Sequence, residues 1–202
     1  IRGTVRIIAN RLRSWFGFRT GHWFLGVSRG VEPGEPLAGK VQPVNPPRGR
    51  FWADPMLSRR NGNTFLFFED FEYRSGIGRI SVAELDPLDR PQNVKPALET
   101  KHHLSYPFVF EWNGEHFMIP ETASVRAVQL FRATNFPVGW EYVKDLLTDI
   151  RAVDATVCEH EGRWFLLTSV SESGGSSWDE LFCFVSETPL GPWEPHPMNP
   201  IV

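Results

Sequence analysis

The chain has 202 residues, 41% hydrophobic and 22% charged, with a formal net charge of −3. That is enough for one domain with a sizeable core, and the charge balance gives no footprint for nucleic acid. No apolar run approaches the roughly 18 residues of a membrane-crossing helix, and a chain that starts at Ile1 says nothing about a leader.

Residues 1–20 hold five Arg and no acid, with Val5, Ile8, Leu12 and Trp15 at helical spacing. The spacing predicts an amphipathic helix. Residues 1–21 are expected to be a basic connector packing its apolar side locally, in preference to a membrane-surface or partner helix. From His22 the pattern turns to β. His22–Arg29 predicts a strand, and residues 31–50, with five Pro, predict a long irregular loop. After Phe51, short apolar runs alternate with Asn-Gly, Asp-Pro, Gly-Gly and Gly-Pro, which predicts an all-β domain. The 16 Phe and 8 Trp suit a β-rich core, or in part stacking platforms for sugars or bases. Cys158 and Cys183 lie in strand-like runs and are expected to be buried, inert thiols. A disulfide is open only if their strands are neighbours.

A repeat organises the rest. ADPMLSRRNGNTFLFFED from Ala53, SYPFVFEWNGEHFMIPET from Ser105 and VDATVCEHEGRWFLLTSV from Val153 align without a gap, at periods of 52 and 48 residues. The register matches Asp54, Tyr106 and Asp154, then Gly62, Gly114 and Gly162, then Phe65, Phe117 and Phe165, then Glu69, Glu121 and Ser169. Each copy continues into a further strand (GRISVAEL, AVQLFRAT, DELFCFVS), and two of the copies then turn at Trp140 and Trp193. Units of about 50 residues with three or four antiparallel strands predict β-propeller blades. The blades fall near 51–103, 104–151 and 152–200 of a propeller domain spanning 22–202. Three blades cannot close a ring, and HPMNPIV at the end reads like the run-in to another, so a truncated propeller is expected.

In a propeller the first strand of each blade lines the channel, so Asp54, Tyr106 and Asp154 are expected to converge. Phe51, His103 and Arg151, each three residues upstream, would ring the mouth. Glu69 and Glu121 end the second strands, and both Glu69 and Asp70 are expected to return to that rim. Converging carboxylates suit acid–base work on glycosidic bonds: one gives a proton to the leaving oxygen, another activates water or attacks. Each acid also has a structural alternative as a turn cap. His103 has two readings, acid–base group or sugar ligand on one side and satisfied loop residue on the other. Arg151 would hold a phosphate or carboxylate, or pair with Asp154. No cofactor or metal is read from the sequence: His102–His103 lacks companions for zinc, and GxGxxG and GxxxxGK[ST] are absent.

The motifs FWADPML, FLFFED, HHLSYPFVFEWNG, MIPET, LFRATNFPVGWE and HPMNPI, over residues 22–202, are similar to the N-terminal domain of glucosamine inositolphosphorylceramide transferases and its bacterial relatives. More distantly the layout resembles the five-bladed propellers of family-43 and family-32 glycoside hydrolases. The resemblance implies a five-bladed propeller fused to a separate catalytic domain, with a carbohydrate or glycoconjugate as partner. A bacterial chain of this kind would be cytoplasmic. Asp54 matches the first-blade catalytic Asp of the glycosidases. Tyr106 stands where those enzymes usually have Asp, and Asp154 where they usually have Glu, with Glu121 placed to substitute for a missing acid. The catalytic set is thus Asp54, Glu121 and Asp154, and the substrate-binding set Glu69, His103, Tyr106 and Arg151. The alternative is a non-catalytic sugar-binding or docking module.

Overall fold

The computed structural model describes residues 23–28, 41–171, 176 and 179–202. The expected basic connector at 1–21 lies outside them. β1 (Leu25–Val27) falls within the predicted first strand and pairs antiparallel with β2 (Gln42–Val44). β2 lies inside the stretch expected to be irregular. Its Val44 packs with Leu25 against the next sheet, and that apolar contact is what draws a Pro-containing strand out of the loop.

The remaining strands form three four-stranded antiparallel sheets, each in simple sequence order. The first holds β3 (Arg50–Arg60), β4 (Asn63–Glu72), β5 (Ile77–Leu85) and β6 (Pro91–Leu98). The second holds β7 (Ser105–Trp112), β8 (Glu115–Glu121), β9 (Ala127–Asn135) and β10 (Gly139–Thr148). The third holds β11 (Ala152–His160), β12 (Arg163–Val170), β13 (Leu181–Ser186) and β14 (Glu194–Pro195). The only helical element among the described residues is the 3-10 turn Ala123–Val125, and no helix there is long and apolar enough to cross a membrane.

The matched glycines close the first hairpin of each sheet. Asn61–Gly62, Asn113–Gly114 and Glu161–Gly162 have positive φ at both residues, 50° and 80°, 50° and 78°, 51° and 78°. That is the backbone twist a two-residue hairpin needs.

The run Leu66-Phe67-Phe68 is apolar on both sides because the first sheet is covered on both. Leu66 and Phe68 join Trp52 and Ala83 beneath Leu25 of β1, while Phe67 joins Ile80, Val82, Leu104, Val109, Met118 and Phe131 between the first two sheets. Phe117, Ile119, Val128 and Leu130 in turn pack on Ala155, Val157, Leu166, Phe184 and Trp193 of the third. Fully burying one such ring contributes up to about 3 kcal/mol. This face-to-face stacking sets β3, β7 and β11, the first strands, side by side.

Of the two cysteines, Cys183 matches the expectation of a buried thiol and Cys158 does not. Cys158 is exposed, Cys183 is buried, and both are free. Their strands are not neighbours, since β12 runs between β11 and β13.

Candidate functional site

The three matched positions share one backbone device. Ala53 pairs with Glu69 and Met56 with Phe67, so Asp54 and Pro55 together oppose a single residue. The same slip occurs between Ser105 and Phe108, and between Val153 and Thr156. Asp54, Tyr106 and Asp154 all take left-handed φ, at 51°, 42° and 57°. A non-glycine residue held there costs about 1 kcal/mol or more. A bulge re-aims the side chain it carries. Here it does so three times at the same end of the fold.

The heads of the strands are tied together. The Tyr106 N–H donates to Asp54 Oδ2 at 3.2 Å, and the Tyr106 hydroxyl lies 2.8 Å from Thr156 Oγ1. Tyr106 therefore spans all three sheets. Glu121, at the end of β8, shares a hydrogen bond with Asp154 across the gap between the second and third sheets, and the Ser105 side chain also bonds it.

Crowding sets the protonation of the cluster. Glu69 is buried and pushed up to about 8, first by burial and then by the charges of Asp54, Glu121 and Asp70. Glu121 is pushed up to about 7 by burial and the Asp154 charge, against the Ser105 hydrogen bond. Asp154 is exposed as a residue, yet packing around its carboxyl and the Asp54 charge still push it up. The shared hydrogen bond favours the proton on Glu121 and the charge on Asp154.

His103 sits over Glu69, with Nε2 3.5 Å from Glu69 Oε1 and Nδ1 accepting the Gly78 N–H at 2.9 Å. Burial lowers its titration. Its ring meets Phe71 edge-on at 5.8 Å, and Phe71 stacks on Phe51 at 4.6 Å, so an aromatic wall with Tyr73 flanks the acids. Arg151 is exposed. Its carbonyl accepts the Ser171 N–H, and it makes no ion pair with Asp154 among the described residues.

Asp70 does not return to this rim as expected. Strand alternation turns it to the opposite face, where Arg50, Arg79, the Trp52 indole and the Ser81 hydroxyl bind it at 3.0–3.1 Å. Sequence reasoning also missed Ser105, Thr156 and Gly78. A glycine inside a strand signals close backbone approach, and Gly78 was open to that argument. No group of three His, Cys, Asp or Glu side chains that could hold a metal ion is found among the described residues.

Stacked four-stranded sheets with bulged first strands side by side define a β-propeller-like fold of glycoside hydrolase type. A thermostable family-43 glycoside hydrolase matches with a TM-score of 0.61 at 16% identity, over 81% of this chain and 62% of that one. A family-43 enzyme from Xanthomonas citri complexed with xylose matches at 0.59 and 19%, over 90% and 66%. A levansucrase variant from Bacillus subtilis matches at 0.60 and 14%, over 74% and 54%. At these identities the likeness is one of fold.

The chain belongs to the family described as the N-terminal region of glucosamine inositolphosphorylceramide transferase 1, whose model matches residues 40–202. The transferase of that name from Arabidopsis thaliana is 37% identical over 155 residues, 75% of this chain and 20% of that protein. The one from Oryza sativa subsp. japonica is 36% identical over 183 residues, 87% of this chain and 24% of that protein. The chain thus spans about a fifth to a quarter of these relatives.

Proposed function

We propose that the domain is carbohydrate-active, binding a glycan or glycoconjugate at the acid cluster and cleaving or transferring a glycosidic bond there. The observation that carries this is the hydrogen-bonded Glu121–Asp154 pair with the Asp54 charge beside it. Glu121, protonated near neutrality, gives its proton to the leaving glycosidic oxygen. Asp154 accepts its hydrogen bond beforehand and steadies the proton on it. Asp54 takes a proton from water as water attacks the anomeric carbon, or attacks that carbon itself. Glu69, His103, Tyr106 and Arg151 are assigned to substrate binding, with the Phe51–Phe71 wall as a stacking surface.

On this reading the three sheets are blades of a five-bladed ring, with residues 1–21 a connector, 22–202 the propeller domain and blades near 51–103, 104–151 and 152–200. The domain would serve a fused catalytic domain. Its likeness to family-43 folds and its match to one part of longer transferases support this.

Asp54→Asn and Glu121→Gln test the mechanism against a library of oligosaccharides. Each is expected to abolish turnover while the far-ultraviolet spectrum and melting temperature stay near wild type. Full activity in either variant defeats the assignment.

A second reading, a non-catalytic sugar-binding or docking module, is favoured by one observation. The Tyr106 side chain is engaged with Thr156, at the position where a glycosidase usually presents an acid. Binding on a glycan array without product release supports that reading, and hydrolysis of any glycan on the array removes it.

A further inference from the structure

We propose that His103 is a positioning residue for Glu69, seated by Gly78, and that Glu69 so held is the site's additional acid where Tyr106 provides none. The additional-acid role rests on the reading of the cluster as the working site. The seating does not.

Gly78 is buried near the start of β5, and its backbone does not need glycine for a positive φ. It needs glycine for space. A Cβ there would lie 2.6 Å from the Leu104 carbonyl oxygen, 2.8 Å from His103 Cε1 and 2.9 Å from Glu69 Oε1. Real Cβ atoms do not approach that closely, so loop, imidazole and carboxyl all close on this one position.

The main chain of Gly78 then holds the loop that carries His103. Its N–H donates to His103 Nδ1 and its carbonyl accepts the Leu104 N–H, both at 2.9 Å. An Nδ1 that accepts cannot carry the proton of a neutral imidazole, so the proton is on Nε2. Nε2 faces Glu69 Oε1 at 3.5 Å, a contact of the looseness that acid–base pairs show before a ligand closes on them.

The groups facing Glu69 are Asp54, Glu121 and His103, and the charge of its neighbour Asp70 acts on it from the opposite face of the sheet. Those facing His103, besides Glu69, are Asp54 and His102. Burial keeps His103 neutral, so it presents a donor without adding a cation. Oε1 lies against that donor, and the nearby Asp54 charge favours a proton on the Glu69 carboxyl. Glu69 thereby adds a hydrogen-bond donor to the cluster and no further negative charge.

The test titrates the protein with 13C-labelled glutamate carboxyls, Glu69 being assigned by its loss in Glu69→Gln. In His103→Ala, water reaches the carboxyl, and the Glu69 midpoint is expected to fall by about one unit or more. In His103→Gln, whose side chain keeps both cover and an N–H donor, it is expected to stay near wild type. The imidazole 15N shifts are expected to show the Nε2–H tautomer in wild type and to lose it in Gly78→Ala.

An unchanged midpoint in His103→Ala, or an Nδ1–H tautomer in wild type, overturns the seating whatever the glycan chemistry. With a glycan from the library above, His103→Ala is expected to lose about tenfold in turnover or binding and His103→Gln much less. Equal losses overturn the positioning role. If wild type binds no glycan, the additional-acid role falls with its parent reading, and the titration still decides the seating.

Discussion

Glu69 and Asp70 are neighbours on β4 that face opposite sides of the sheet and titrate in opposite directions. Glu69 lies among carboxyls and is pushed up to about 8. Burial also pushes Asp70 up, but hydrogen bonds from Arg50, Ser81 and Arg79 outweigh it and hold Asp70 below its ordinary range. Glu69 keeps its proton near neutrality, and Asp70, charged, ties the sheet to two arginines.

Asp70→Asn is therefore expected to destabilise the fold by about 3 kcal/mol, because two arginines lose their buried counter-charge. Glu69→Gln replaces a protonated acid by a near-isostere and is expected to stay within about 1 kcal/mol of wild type at neutral pH. Urea unfolding of the two variants checks the contrast. Equal costs would mean that the two faces are not distinct.

Stability should decline as pH rises on the neutral side. Glu69 and Glu121 have folded values of about 8 and about 7, above the ordinary 4.5, so the folded state binds protons that the unfolded state has already lost. Their contribution is fully present below the ordinary value and is lost as pH climbs through about 7 and about 8. Asp70 has the opposite sign, and its share is lost in acid. The urea midpoint is expected to fall between weakly acidic and weakly alkaline pH. In Glu69→Gln/Glu121→Gln that slope should flatten.

Turnover, where the glycan is found, should report Glu121. The acid limb of the mechanism needs its proton, so the rate is expected to fall above about pH 7 and the fall to disappear in Glu121→Gln, at a far lower rate. A rate that rises through that range assigns the proton donor elsewhere.

Tyr106→Phe removes the hydroxyl that meets Thr156 between the second and third sheets. The expected cost is about 1 kcal/mol, or a melting temperature lower by about 2–4 °C. Thr156→Val should cost the same, and the double variant little more than either alone. Strict additivity in that cycle would show that the hydroxyls do not interact.

The repeat was legible because three hairpins use the same turn chemistry and the same ring three residues beyond each glycine. Its gapless register also concealed something. All three copies carry the extra residue of the bulge at the same place, so no gap marked it and the left-handed backbone at Asp54, Tyr106 and Asp154 was invisible. The convergence of Glu69 and Glu121 with these positions was readable from hairpin length alone. The fate of Asp70 was not, since nothing local says which of two adjacent acids meets Arg50 and Arg79 from 20 and 9 residues away. The Tyr106–Thr156 link, 50 residues apart, depends on how separate sheets dock.

The threefold bulge separates how a position is held from what it displays. Asp, Tyr and Asp occupy the same backbone geometry in three sheets, so the scaffold accepts a carboxylate or a phenol without refolding. A single substitution at one of these positions would therefore change what the strand head displays and leave the backbone that displays it in place.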